Sequence, residues 1–211
     1  MTDTLDGSAG VSIVTTTYNN FTERGGSLPL FLETVGAQQL SDESELILVD
    51  DGSTDRTAAF VEDVDGRTLP NGVTVRVCRK EHTGNRAAGR NTGLAAARHE
   101  TVVFLDADTL PLGTDCLATA VDSTPVDGFA CGSLCYWSPP EWDTARVGRL
   151  LGADDIADVT EWAHLPEHSM DRMDGRRALQ EYALFGQFGV AASDVLESVG
   201  GFDESFATWG Y

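Results

Sequence analysis

Asp106 and Asp108 flank an alanine directly after the apolar run Val102–Leu105. In an extended segment, residues two apart point the same way, so the spacing predicts two carboxylates on one side. That donor set suits a hard divalent cation such as Mg2+ or Mn2+, which completes its shell with waters and with the oxygens of a diphosphate. Asp50 and Asp51 follow the run Leu46–Val49 and precede Gly52-Ser53-Thr54-Asp55. A carboxylate there can accept a hydrogen bond from a nucleobase N–H, or brace the turn that the glycine permits. Thr16-Thr17-Tyr18-Asn19 closes the run Val11–Thr16, and the Tyr18 ring offers a base a surface to stack on. In the segment His82–Asn91, Arg86 and Arg90 stand four apart, hence on one helix face. They are expected to be the clustered cations of the site. Their candidate partners are a base carbonyl, a diphosphate, the aspartates themselves, or acids on the surface.

These clusters can cooperate only if the elements before them bring them together. Val11–Thr16, Leu46–Val49, Val73–Val77 and Val102–Leu105 are short and rich in β-branched residues. Between them lie Leu28–Leu40, Thr54–Val64 and Gly84–His99, each long enough for a crossover helix and opened by turn or capping residues such as Ser53 and Thr54. The pattern predicts βαβαβαβ over residues 11–106 and an α/β fold with a mostly parallel central sheet. In such a sheet ligands bind beyond the carboxyl ends of the strands, where all three clusters fall. After Pro111 the alternation loosens: a helix is predicted over Asp115–Val121, strands over Gly128–Tyr136 and Phe185–Ala191, and a helix over Asp194–Val199. The stretches SPPEWD and HLPEHSMDRMDGRR read as a variable insertion.

The 211 residues carry 14 Lys and Arg against 34 Asp and Glu, a net charge of −20, with 41% hydrophobic residues. That is one globular domain, with acidity too strong and too dispersed for a broad nucleic-acid or anionic-membrane footprint. Lys80 is the sole lysine and aspartate outnumbers glutamate, which predicts a surface kept hydrated where salt screens charge, as in a high-salt cytoplasm. Cys78, Cys116, Cys131 and Cys135 show no C-x-x-C pairing and are expected to be buried thiols. The first ten residues lack the charged start and apolar stretch of a secretory signal, and no segment approaches the roughly 20 apolar residues of a membrane span. A soluble, cytoplasmic protein is expected.

VSIVTTTYNN, LILVDDGSTDRT, NRAAGRNTGL with VVFLDADTLP, and VGGFDESF stand in the order found in family 2 glycosyltransferases, and the chain resembles that family over nearly its whole length. The resemblance implies a GT-A fold, a Rossmann-like α/β/α sandwich. It also implies a nucleotide-sugar donor with UDP favoured, a divalent cation, and inverting transfer of the sugar to a hydroxyl of a saccharide, lipid-linked or protein-linked acceptor. It assigns Thr16 and Tyr18 to the nucleobase pocket, Asp51 or its neighbour Asp50 to the base, and Arg90 to the arginine of an A-R-N element whose alanine is Gly89 here. Asp106 would face the ribose or a metal-bound water, and Asp108 would ligate the metal.

By the same resemblance, Asp203 and Glu204 support the acceptor site, and the catalytic carboxylate is expected past Tyr211. The ending resembles a W-G-G-E-D element, by which Trp209 would contact the acceptor and donor sugars. The domain reading is a flexible acidic N-terminus over 1–10 and one GT-A domain over 11–211. Its nucleotide-binding half would be 11–110, and its acceptor half, 111–211, is expected to be cut short, leaving membrane association only to sequence absent from the chain. A binding module that holds donor and metal without catalysing is the alternative. A nicotinamide-binding Rossmann enzyme would need G-x-G-x-x-G after the first strand, and a phosphate-loop hydrolase would need Gly-Lys-Ser/Thr; neither is present. An aspartate-nucleophile phosphatase leaves the Asp50-Asp51 and Tyr18 clusters unused. His164 and His168 are separated by Pro166, which spoils a shared helical face for a second metal.

Overall fold

Strands that are apolar at successive positions must be covered on both faces, and this requirement organises the molecule. The computed structural model describes residues 3–132, 151–152 and 187–206. Within them, strands β1 (Val11–Thr17), β2 (Glu45–Asp50), β3 (Thr74–Arg79), β4 (Thr101–Leu105), β5 (Phe129–Cys131) and β6 (Phe188–Ala192) form one sheet in the order β3-β2-β1-β4-β6-β5. The pairs β3–β2, β2–β1 and β1–β4 are parallel, while β6 runs antiparallel to both β4 and β5. The helices described are α1 (Asn20–Glu23), α2 (Leu28–Gly36), α3 (Arg56–Val64), α4 (Arg86–Ala96), α5 (Cys116–Asp122) and α6 (Ser193–Ser198).

Alternate side chains of the central strands feed two cores. Ile13, Leu46, Leu48, Val103 and Leu105 pack with Phe31 of α2, Val61 of α3 and Leu117 of α5 on one face. Val14, Ile47, Val49, Val102 and Phe104 pack with Leu196 of α6 and Leu94 of α4 on the other. The result is three layers, helix on sheet on helix. At the amino ends of the strands Glu45, buried, accepts from Ser12 Oγ at 2.8 Å, from Arg76 and from the Arg98 N–H at 2.9 Å. Burial pushes its pKa up, but Arg76, Ser12 and Arg98 outweigh that and hold it below the ordinary glutamate value.

Element order follows the sequence reading, with differences at the ends. The helix predicted from Thr54 is capped by Asp55, whose carboxylate accepts from Thr57 N–H at 2.8 Å, and α4 is capped by Asn85. The helix from Leu28 stops at Gly36, and buried Gln38 instead ties this turn to Gly113 O at 2.8 Å and accepts from Leu117 N–H. Residues 3–7, expected to be flexible, lie along the end of α5: Leu5 N–H donates to Thr124 O at 2.8 Å and Gly7 N–H to Asp122 Oδ1 at 2.8 Å. Cys78 and Cys116 are partly buried free thiols, and Cys135 lies outside the described residues. Among the described residues no helix is long and apolar enough to cross a membrane.

Candidate active site

The carboxyl ends of β1 and β2 are laced by one residue in an unusual conformation. Asn19 is left-handed (φ 42°, ψ 43°), which an asparagine tolerates better than most side chains. Its N–H donates to Ser53 Oγ at 2.9 Å, its Oδ1 accepts from Thr54 N–H at 2.8 Å, and its carbonyl starts α1 by accepting from Glu23 N–H at 2.7 Å. α1 itself was not foreseen. Asp51 N–H donates to Thr17 O at 2.9 Å, and so carries the chain out of β2 beside Tyr18.

Asp50 and Asp51 part company there. Asp50 is fully buried (0% exposed): one oxygen accepts from Ser53 N–H at 3.0 Å, and the other lies 3.2 Å from Arg79 Nε without hydrogen-bond geometry. It braces the turn and is sealed from the cleft, contrary to its expected place beside a base. Asp51 faces the cleft, but its carboxylate is engaged. Lys80 Nζ donates to it at 2.5 Å, Gly84 N–H at 3.0 Å and Thr83 N–H at 3.2 Å, and His82 Nδ1 lies 2.9 Å away. Burial raises the Asp51 pKa, but Lys80 and the Gly84 and Thr83 amides prevail and keep it below the ordinary aspartate value. His82 stacks on Tyr18 with ring centroids 3.9 Å apart and planes at 15°. Gly52 (φ 75°) makes this approach possible, because a Cβ there would lie 2.7 Å from His82 N. The sequence reading gave neither Lys80 nor His82 a role; the lone lysine beside the predicted arginine segment was the available signal.

After β4 the chain turns instead of staying extended: Thr109 N–H donates to Asp106 O at 2.8 Å. Both Asp106 and Asp108 still line the cleft. The turn is held from below by buried Ser27, whose Oγ donates to Ala107 O at 3.1 Å and accepts from Asn20 Nδ2 at 3.1 Å. Asp106 accepts from Arg90 Nη2 at 3.0 Å. Burial raises its pKa, and Arg90, acting the other way, only partly offsets this. Arg24 Nη1, at the end of α1, stands 3.6 Å from Asp108 Oδ2. Arg24 and Lys80 therefore join Arg86 and Arg90 as cations of the site, which the sequence had confined to the latter two.

Thr16, Tyr18, Asp51, Arg86, Asp106 and Asp108 line one cleft of about 480 Å3, together with Thr17, His82 and Arg24. Arg90 sits behind the wall, with its guanidinium 5.5 Å from the Phe202 ring centre. The Thr17 hydroxyl is buried behind this wall with no partner among the described residues, as is that of Thr15 on the same strand face. Asn91 clasps the G-G-F-D-E segment: its Nδ2 donates to Phe202 O and to Glu204 Oε1, each at 2.8 Å, and its Oδ1 accepts from Phe202 N–H at 2.9 Å. Trp209, His164 and His168 lie outside the described residues. Asp106 and Asp108 offer hard carboxylate oxygens to one space, and the described residues hold no cluster of three or more metal-ligating side chains. That donor set fits a cation of the Mg2+ or Mn2+ kind, which keeps waters and takes diphosphate oxygens.

The chain is 28% identical over 222 residues to validoxylamine A glucosyltransferase of Streptomyces hygroscopicus subsp. limoneus, an alignment covering 95% of this chain and 45% of that protein. It is 40% identical over 100 residues to undecaprenyl-phosphate 4-deoxy-4-formamido-L-arabinose transferase of Pseudomonas fluorescens SBW25, covering 46% of this chain and 27% of that one. The chain thus spans less than half the length of these relatives. Its fold matches that of a mannosyltransferase of Pyrobaculum calidifontis, solved in complex with GDP-Man and Mn2+, with a TM-score of 0.61 and 23% identity over 96% of this chain and 50% of that one. The sheet and its covering helices are those of the GT-A glycosyltransferases. Residues 12–181 match the model of Glycosyl transferase family 2, and the chain belongs to that family.

Proposed function

We propose that this chain carries the donor site of an inverting glycosyltransferase dependent on a divalent cation. The donor is a nucleoside-diphosphate sugar, with UDP favoured by the likeness of the base pocket. The acceptor is a hydroxyl of a saccharide, of a lipid-linked saccharide or of a glycoprotein chain. One observation carries the reading: the cleft joins an aromatic surface at Tyr18 to a carboxylate pair at Asp106 and Asp108 through a wall containing Arg24 and Arg86. This is a sequence of sites for a base, a ribose and a diphosphate. The glucosyltransferase and arabinose-transferase activities named for the relatives agree with sugar transfer.

In this reading the nucleobase lies on the Tyr18 surface, bounded by the loop that Asp51 holds through Lys80, Thr83 and Gly84. Arg90 fixes Asp106 from behind, so that its carboxylate meets the ligand in one orientation. Asp108, with Asp106, would hold the cation, which offsets the charge of the departing diphosphate when bound. Asp51 and Asp106 are not assigned as the base that takes the acceptor's proton, because both are engaged in holding the site together. Residues 11–110 form the donor half.

Calorimetric titration with UDP, GDP, dTDP and ADP, with and without Mn2+ at high potassium chloride, tests this without an acceptor. Selective, Mn2+-dependent binding of one nucleotide is expected, and Asp108→Asn is expected to abolish the Mn2+ dependence. A folded sample that binds none of the four, or an Asp108→Asn variant with unchanged Mn2+-dependent affinity, refutes the assignment.

A further inference from the structure

Arg24 sits where α1 ends, before two glycines in the left-handed region, Gly25 (φ 64°) and Gly26 (φ 76°). Its backbone N–H closes α1 on Asn20 O at 2.9 Å, while its side chain leaves the turn and crosses to Asp108. At 3.6 Å this is an ion pair and not a hydrogen bond, with 49% of the Arg24 side chain and 38% of that of Asp108 in solvent. Such a pair adds little to stability. Lys80 and Arg90, by contrast, are fixed at hydrogen-bond distance to Asp51 and Asp106, and both are largely buried. The fold therefore aims a guanidinium at the carboxylate turn without using it to hold that turn.

Charge balance gives that guanidinium a task. Asp106 is matched by Arg90, so Asp108 with a divalent cation would leave one positive charge, and Arg86 in the cleft wall adds a second, against a diphosphate that becomes more negative as the sugar departs. A guanidinium meets phosphate oxygens with two parallel N–H donors, which a carboxylate-bound lysine would not do. We propose that Arg24 binds the donor's diphosphate: its half-exposed guanidinium pairs with Asp108, and once that carboxylate is engaged by a cation the side chain turns onto the diphosphate oxygens. This inference rests on the donor-site reading above.

The test takes the nucleoside diphosphate of highest affinity among UDP, GDP, dTDP and ADP, together with its monophosphate, and titrates both into wild type, Arg24→Gln and Arg24→Lys in saturating Mn2+. Mn2+ binding without nucleotide is followed in parallel by electron paramagnetic resonance. Arg24→Gln is expected to weaken the diphosphate by about tenfold, the scale of one lost charged hydrogen bond, to leave the monophosphate unchanged, and to bind Mn2+ alone at least as tightly as wild type. Arg24→Lys recovers part of the loss. Unfolding midpoints stay together, since the pair is exposed. If wild type binds the diphosphate and Arg24→Gln binds it equally well, or loses diphosphate and monophosphate alike, the role of Arg24 is wrong while the donor site stands. If wild type binds no nucleotide, both fall.

Discussion

Helix α4 carries Arg86, Arg90 and Asn91, and its distance from the sheet is set by Gly89, which faces Thr16, and Gly93, which faces Val14. Gly93 is buried against β1, where a Cβ would lie 2.2 Å from Val14 Cγ1, about 1.2 Å short of ordinary contact. Val14 cannot give way: it is 1% exposed, β-branched, and held between Ile47 of β2 and Phe104 of β4. In Gly93→Ala the helix must therefore lift by roughly 1 Å. Two effects compete. Alanine favours the helical backbone by about 1 kcal/mol, while forcing a methyl into a packed core costs about 1–3 kcal/mol. A stiff neighbour on a central strand puts the cost in the upper part of that range, so a net loss of about 1–2 kcal/mol is expected.

The displacement also reaches the site, because Gly93 is less than one turn from Arg90. A lift of that size stretches the 3.0 Å bond between Arg90 and Asp106 beyond hydrogen-bonding range. Donor affinity should then fall by about tenfold, as for one charged hydrogen bond. Urea unfolding reads the first effect and Mn2+-dependent nucleotide calorimetry the second. Gly66→Ala is the control: it has φ 74° and nothing within 4 Å of its Cβ, so it should lose about 1 kcal/mol to backbone strain and keep full affinity. A Gly93→Ala protein more stable by about 1 kcal/mol, with unchanged nucleotide binding, would show that helix propensity alone operates and that α4 does not lie so close.

Two further outcomes follow from the same geometry. Asp51 has a folded pKa below its unfolded value, so its contribution is fully present above the ordinary carboxylate range and is lost as pH falls through the folded value; below about pH 4 wild type should lose stability that Asp51→Asn, already lacking it at neutral pH, does not. Urea midpoints measured from pH 7 downward check this, and parallel curves for the two proteins would count against it. Asn91→Ala removes three hydrogen bonds to the Phe202–Glu204 segment and should cost about 2 kcal/mol, with faster amide exchange at Phe202; unchanged exchange there would mean that the Phe104–Phe202 contact holds the segment unaided.

The sheet was legible because its chemistry is local and repetitive. The β-branched runs ending at Thr16, Val49 and Leu105 differ from β1, β2 and β4 by one residue at most at that end. What the runs could not show is which positions cap and pin them. Asp55 outcompetes Ser53 and Thr54 as a cap because Ser53 is already engaged with Asn19 across the strand gap. Glu45 gives no periodic signal, since a lone glutamate before an apolar run reads equally well as a solvated strand end. Its meaning comes from Ser12, Arg76 and Arg98, which are distant in sequence.

The site shows the same limit at finer scale. Spacing put Asp50 and Asp51 at the same strand end and Arg86 and Arg90 on the same helix face, but function depends on which member of each pair meets the cleft. Asp50 is the last residue of β2 and alternates in phase with Leu46 and Leu48, so it shares their buried face. Asp51, the next residue, lines the cleft. Arg86 opens α4 at the cleft rim, whereas Arg90, one turn and about 6 Å further along the axis, reaches Asp106 from behind the wall. The shared helix face was correct, and position along the axis separated a residue that lines the cleft from one that holds a carboxylate in place. Arg24 shows the converse: nothing in its neighbourhood of sequence marks it, and the left-handed Asn19, by starting α1, brings its side chain across to Asp108.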